Sequence, residues 1–393
     1  MNRNNTQYNN IDYSLIFIVL LLGIISCFTL YTIEPTLPSK YDESDFFIHQ
    51  VIWYILGSIM IVLIMLIDYD RLRQIVWFMY GAGIIALLML HFNFPSTIVQ
   101  EINHARSWFI FPGVGTIQPA EFMKVVLSIT LAHVIVHHNE NFKYRTTKSD
   151  LILLIKIILL ALPPMILIAL QPDLGSFLVL VAITACIILV SGIRWRILFS
   201  IVGMAGIGTA LVIIAYMVSP GKVQNILNKI GFEHVQSRFY GWLYPETYGD
   251  SGYQLIRAKL AIGSGQMSGK GIGDFEVLSI PERHTDMIFT AIAEQFGFIG
   301  SSVLITLFFL LIYRLIYIGL QSNDQFGSLI ITGIIGMFTF QIFQNIGMSI
   351  QLLPITGLPL PFIGYGGSST MTYLLAIGIV LNIHHRTKEY MFD

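Results

Sequence analysis

The chain has 393 residues, of which 55% are hydrophobic and 11% charged, with a net charge of −1 and a mean hydropathy of +0.71. Soluble domains carry about 25% charged residues, so a chain this apolar cannot cover itself in water. The balanced charge offers no basic block or acidic tail for a nucleic-acid partner. Cys27 and Cys186 both lie in apolar runs; no disulfide framework or zinc spacing exists, and both read as small buried hydrophobes.

A spanning helix needs about 20 apolar residues, each rising about 1.5 Å across the bilayer. Runs of that kind occur at 13–32, 50–67, 75–91, 119–136, 151–170, 174–191, 196–217, 287–318, 326–353 and 368–384. The first is too long for a signal-peptide core and lacks a small-residue cleavage site, so it is expected to remain as an anchor. The eighth and ninth are long enough to tilt or to protrude. The expected fold is an all-α membrane protein: one polytopic domain, 1–393, with about ten transmembrane helices.

Short-loop charges set the expected orientation. With the N-terminus inside, the inner segments carry Arg3, Arg71, Arg73, Lys143, Arg145, Lys148, Arg194, Arg196, Arg314, Arg386 and Lys388, eleven in all, whereas the short outer loops carry Lys40 and Arg106. That is a positive-inside bias, with both termini cytoplasmic. Between spans seven and eight lies a large outer loop, 218–286, and a loop of that length is usually functional. Two amphipathic stretches in it, 222–230 and 253–262, read as surface helices or as ordinary solvated loop. Its glycines, Gly263, Gly265, Gly269, Gly271 and Gly273, follow no strand and form no nucleotide fingerprint.

Ionisable groups inside the hydrocarbon cost at least about 2.5 kcal/mol and point to function. Glu121 and Lys124 are three residues apart, on one helix face, behind Pro119, which suits a first turn. They read as a buried ion pair facing a cavity or as a structural pair between helices. Lys156 is placed to snorkel. Gln171-Pro172-Asp173 forms a tight outer turn in which Asp173 is a candidate helix cap. Arg106 offers a donor fork suited to phosphate, and Trp108 fits the interfacial belt. The densest polar cluster, Pro281-Glu282-Arg283-His284-Thr285-Asp286, sits where the large loop re-enters the membrane. A carboxylate there is partly desolvated and raised in basicity, as a general base requires; Asp286 also suits an N-cap. Three prolines and four glycines between Leu353 and Gly367 break the last connection, and irregular backbone at membrane depth lines a cavity or packs on protein.

These residues resemble the SEDS proteins, the RodA/FtsW group of bacterial cell-wall polymerases. The matching motifs are Ala105-Arg106-Ser107-Trp108 leading into Gln118-Pro119-Ala120-Glu121-Phe122-Met123-Lys124; Gln171-Pro172-Asp173-Leu174-Gly175; Pro281 through Phe289; and the segment ending Tyr365-Gly366-Gly367-Ser368-Ser369. Thr356-Gly357-Leu358-Pro359-Leu360-Pro361-Phe362 looks like the elongation type, RodA, rather than the division type, FtsW. His104, Ala120 and Gly364 depart from the commoner Gly, Ser and Ser.

The resemblance implies a peptidoglycan glycosyltransferase that joins lipid II units outside the bacterial cytoplasmic membrane and releases undecaprenyl diphosphate. It places the essential aspartate at Asp286 and the important acid and base of the fourth span at Glu121 and Lys124. Arg106, Glu121, Lys124, Gln171, Asp173, His284 and Thr285 fall in its motifs as substrate-binding candidates, with Arg106 and Lys124 expected to stabilise the leaving diphosphate and Glu121 to hold Lys124. A class B penicillin-binding protein, the transpeptidase, is the implied partner, alongside membrane lipids and the lipid II substrate. A divalent cation, Mg2+ or Mn2+, would assist the diphosphate. The rival expectation is a lipid II flippase; against it, the halves show no repeat, and transporters usually show repeats and paired broken helices. A scaffold that only recruits the transpeptidase leaves Asp286 and the Glu121/Lys124 pair without a purpose.

Overall fold

The computed structural model describes residues 11–38, 45–99, 106–111, 115–142, 144–219, 233–246, 249–278 and 280–389. Arg3, Lys40, His104, Ala105, Lys143 and the stretch 222–230 lie outside them.

Each of the ten apolar runs forms a helix. They are α1 (Tyr13–Ile33), α2 (Phe46–Leu66), α3 (Arg71–His91), α4 (Pro119–Asn141), α5 (Thr147–Ala169), α6 (Leu174–Val190) and α7 (Trp195–Val218), then α10 (Ile288–Gln321), α11 (Gln325–Ser349) and α12 (Gly367–Glu389). Among the described residues, seven are long and apolar enough to cross a membrane: α1 to α5, α10 and α11, the first counted together with the turn that follows it. α6 and the first part of α7 are apolar but shorter. The large loop contributes α8 (Glu233–Leu243) and α9 (Gly249–Ser264), so the amphipathic stretch 253–262 is helical.

Hydropathy alone does not sort these helices; burial does. α4 runs through the middle, against α3, α5, α6, α11 and α12, and 78% of its best apolar window is buried. α2 is almost as long, yet only 11% of its window is buried, and Ile48, Ile52, Ile55, Ile59 and Leu63 project outward as a lipid-facing side must. Lipid gives no hydrophobic drive for helices to associate, so close approach of backbones matters. At Gly336 of α11 a Cβ would lie 2.9 Å from Cys186 of α6, which only glycine permits. Cys27 and Cys186 are free and partly buried within the bundle, less enclosed than the small buried hydrophobes expected.

Proline inside α5 removes backbone donors, and the bundle compensates. Pro164 leaves the carbonyl of Leu160 without its helical N–H; the Tyr80 hydroxyl of α3 donates to it at 2.8 Å. Backbone groups freed inside a membrane must be satisfied by such neighbours.

Three features depart from the sequence expectations. Residues Phe109–Phe111 (β1) and Gly115–Ile117 (β2) pair antiparallel, Phe109 opposite Ile117, so a small hairpin stands in front of α4 in an otherwise helical fold. The run 326–353 ends as helix at Ser349. The run 287–318 is not one straight or tilted helix: Gly297 has φ 61° and ψ −156° and breaks α10 near its start. The turn after α9 fills the break. Phe298 N–H donates to Gln266 O (2.8 Å) and Lys270 N–H to Glu294 O (2.9 Å), with matching bonds from Ile299 to Met267 and Gly271 to Gln295.

Asp12, which caps α1 by accepting from Leu15 N–H, also accepts from Arg314 at 2.8 Å and lies 3.9 Å from His384 near the end of α12. The described ends of the chain therefore share one face. The N-terminal ends of α4, α6 and α12 gather at the opposite one.

Candidate functional site

A cavity of about 530 Å³ opens at that opposite end. Its walls come from four separate parts of the chain. The hairpin and the start of α4 supply Ser107, Trp108, Thr116, Gln118 and Glu121; the α5–α6 turn supplies Pro172, Asp173 and Ser176. The large loop supplies Arg238, Glu282, Thr285 and Asp286; the Pro/Gly segment and the start of α12 supply Thr356 to Pro359 and Tyr365 to Ser369. The irregular segment thus lines a cavity, as its composition requires.

Hydrogen bonds lock these parts together. Gln118 Nε2 donates to Asp173 Oδ2 at 2.9 Å, while Asp173 Oδ1 accepts from Ser176 N–H at 2.9 Å. Asp173 is therefore the N-cap of α6 and a cavity wall at once. Gln118 N–H donates to Ser368 Oγ (2.9 Å), and Ser368 Oγ donates to Thr116 O (3.1 Å), which fastens α12 to the hairpin.

Asp286 sits just before α10 and is 6% exposed. Burial pushes its carboxyl up to about 7, and the nearby Glu282 carboxylate adds to the rise; a backbone bond, Thr285 and Arg238 oppose it. Desolvation disfavours the anion, and a like charge does the same. Thr285 Oγ1 donates within this group, to Glu282 Oε2 at 3.1 Å or to Asp286 Oδ1 at 3.4 Å. The outcome is a carboxylate half-ionised near neutrality that faces a polar space.

Glu121 and Lys124 form the buried pair that their spacing allows. Lys124 Nζ donates to Glu121 Oε1 at 2.5 Å, with the lysine fully buried and the glutamate 3% exposed. Glu121 reaches the cavity; Lys124 is not among its lining residues. Glu121 Oε2 has no hydrogen-bond partner among the described residues.

The remaining candidates divide. Thr285 and Asp173 line the cavity. Gln171 is buried behind it, with Nε2 donating to Leu87 O (3.1 Å) and its carbonyl accepting from Ser107 Oγ (3.2 Å); it shapes the turn. The His284 ring is buried and packs on Phe46, ring centres 4.5 Å apart, away from the cavity. Arg106 is exposed beside the hairpin and does not line the cavity.

Arg238 and Glu282 enter the wall although the motifs did not single them out for it. Arg238 arrives on α8 and donates through Nη1 to Thr356 O at 2.9 Å. Arg283 turns inward instead. It pairs with Glu294 in the first turns of α10, donates to Val277 O at 2.9 Å, and lies 4.0 Å over the Phe275 ring. Glu294 also accepts from the backbone N–H of Glu276 and Val277 at 2.7 and 2.9 Å. This buried knot holds the end of the large loop on α10. Among the described residues no group of three or more His, Cys, Asp or Glu side chains converges to hold a metal.

The sequence profile of the FTSW_RODA_SPOVE family, described as "Cell cycle protein", matches residues 12–389. FtsW of Bacillus subtilis, named a probable peptidoglycan glycosyltransferase, is 34% identical over 95% of this chain and 90% of its own length. The Escherichia coli peptidoglycan glycosyltransferase MrdB is 33% identical over 70% of each chain. A chain from a peptidoglycan synthase complex, described as coordinating polymerization and crosslinking, superposes with a TM-score of 0.74 at 27% identity over 96% of this chain and 98% of its own. The chain is therefore a polytopic membrane protein of the SEDS family, the group that contains FtsW, RodA and SpoVE.

Proposed function

We propose that this chain is a peptidoglycan glycosyltransferase, joining lipid II units into glycan strands at the outer face of the bacterial cytoplasmic membrane. One observation carries the reading: a carboxylate raised to about 7, Asp286, faces a polar cavity built on a membrane bundle. A base poised near the working pH is suited to removing a proton from a sugar hydroxyl.

In this mechanism Asp286 takes the proton of the acceptor's 4-hydroxyl. The hydroxyl oxygen attacks the anomeric carbon of the donor, and the bond to the lipid diphosphate breaks with its electron pair going to the diphosphate. One displacement inverts the α-linked donor into a β-1,4 link. The leaving group needs stabilisation of charge rather than a proton. A divalent cation carried with the diphosphate would add positive charge there. Such a cation asks for only one or two protein carboxylates, which Glu282 or Asp173 would offer beside the base.

The charge bias of the short loops supports cytoplasmic termini, with the cavity then outside. The Pro-rich sequence 356–362 supports the elongation role and cell shape over division. A class B penicillin-binding protein is the partner that would crosslink the product.

Polymer formation tests the reading. The chain is purified with its transpeptidase and given lipid II and Mg2+ or Mn2+. Glycan ladders from the wild type support the polymerase. Movement of lipid II across liposome bilayers with no polymer would instead establish the flippase.

A further inference from the structure

The cavity beside Asp286 is acidic. Glu121, Asp173, Glu282 and Asp286 all line it, and Arg238 is the one cationic side chain among its described lining residues. A diphosphate in this space is repelled by each ionised carboxylate, and Arg238 is the fixed side-chain cation there that opposes the repulsion. Lys124 cannot serve, because its ammonium is fully buried against Glu121. Arg106 lies outside the lining.

The large loop delivers Arg238 by a specific latch. Trp242 Nε1 donates to Gln351 O at 2.9 Å, and Gln351 Nε2 donates back to Trp242 O at 3.1 Å. Arg238 lies four residues before Trp242, on the same face of α8. Its bond to Thr356 O engages Nη1 alone. Among the described residues, Nε and Nη2 have no partner, and the side chain is largely but not wholly buried. Asp173 and Asp286 both act on the guanidinium electrostatically, and all three side chains line the same cavity. A guanidinium fork with its Nε/Nη2 edge free suits a diphosphate better than a point charge does.

We propose that Arg238 binds the diphosphate of the lipid donor and stabilises the charge that develops on it. As the anomeric carbon–oxygen bond breaks, the electron pair goes to the diphosphate oxygen facing Arg238, and the acceptor's proton goes to Asp286. This rests on the glycosyltransferase reading and adds to it a residue supplied by the outer loop. The loop then does more than cover the site: without α8 the cavity holds no described cation.

The test uses the full chain with its transpeptidase in lipid nanodiscs, supplied with Mg2+ or Mn2+, as wild type, Arg238→Ala, Arg238→Gln and Arg238→Lys. Two quantities are read: polymerisation of lipid II, and competition by undecaprenyl diphosphate against undecaprenyl monophosphate. The expected loss in kcat/KM is about 100-fold for Ala and Gln and about tenfold for Lys, which keeps charge without the fork. The wild type should prefer the diphosphate over the monophosphate by about tenfold or more, and Ala and Gln should lose that preference. A role confined to holding Thr356 would weaken both competitors equally, and that result overturns the proposal. So does a folded Ala or Gln variant that polymerises within about threefold of wild type. If Ala fails to fold, Gln and Lys carry the comparison. Wild type that makes no polymer at all defeats the glycosyltransferase reading itself, and this inference with it.

Discussion

The side-chain amide of Asn345 donates to the main-chain carbonyl of Asp286 at 2.7 Å and to that of Leu358 at 2.8 Å. One buried residue of α11 thus fixes the base and the Pro/Gly wall opposite it in a single register. The position of Asp286 is set by α11 as much as by its own helix.

Asn345→Ala should leave two buried carbonyls without a donor, at about 1–3 kcal/mol each. The expected result is a clearly lower thermal midpoint in detergent and a loss of polymerisation greater than the loss of folded protein. Asn345→Asp should be worse, since a carboxylate faces two carbonyl oxygens. A thermal scan beside an activity assay on the same preparation checks both.

Asp286 also predicts a pH dependence. Its carboxyl is raised to about 7 by burial and by Glu282, so below that pH it is protonated and cannot accept a proton. kcat/KM should therefore rise with pH through about 7 and level off above it. Glu282→Gln removes the like charge and should move the midpoint to lower pH. A profile flat from pH 5.5 to 8.5 would exclude Asp286 as the group that titrates.

Glu121 and Lys124 are a buried pair, and removing one partner strands the other charge. Lys124→Met or Glu121→Gln alone should destabilise by about 3–5 kcal/mol, and the joint replacement by apolar residues should recover much of that. A double-mutant cycle on thermal stability measures the coupling. Recovered stability without recovered polymerisation would assign Glu121 a part in the cavity beyond packing.

The Arg283–Glu294 knot predicts a change in local stability. Glu294→Gln should free the loop segment that its carboxylate holds, including the backbone of Glu276 and Val277. Hydrogen exchange there should quicken while α4 and α11 stay protected. Uniform loss of protection across the bundle would mean that the knot supports the whole fold instead.

Much of this was legible from residue type alone. A run of about 20 apolar residues has few alternatives to a helix, and each of the ten such runs is one. The spacing of Glu121 and Lys124 was enough to place them together. Other features depend on contacts between distant parts of the chain. Gln295-Phe296-Gly297-Phe298 reads as continuous apolar helix, because the turn that fills its break comes from 266–271. In the sequence the paired strands 109–111 and 115–117 flank a Pro112-Gly113 pair, a turn signal that the apolar runs on either side overshadowed. His284 lies beside Asp286 in sequence, but a turn places its ring on Phe46, and sequence adjacency does not reveal direction. Arg238 carried no signal beyond its place among the basic residues of a long loop; only the latch to Gln351 and Thr356 shows where it points.

The most direct test of the account is polymerisation by Asp286→Asn, which keeps the side chain's size and removes its basicity. The protein is purified with its transpeptidase, shown to match wild type in thermal midpoint, and given lipid II. Glycan ladders should fall by about 100-fold or more, the scale expected when a general base is lost. Polymer within about threefold of wild type from a folded Asp286→Asn protein would contradict it.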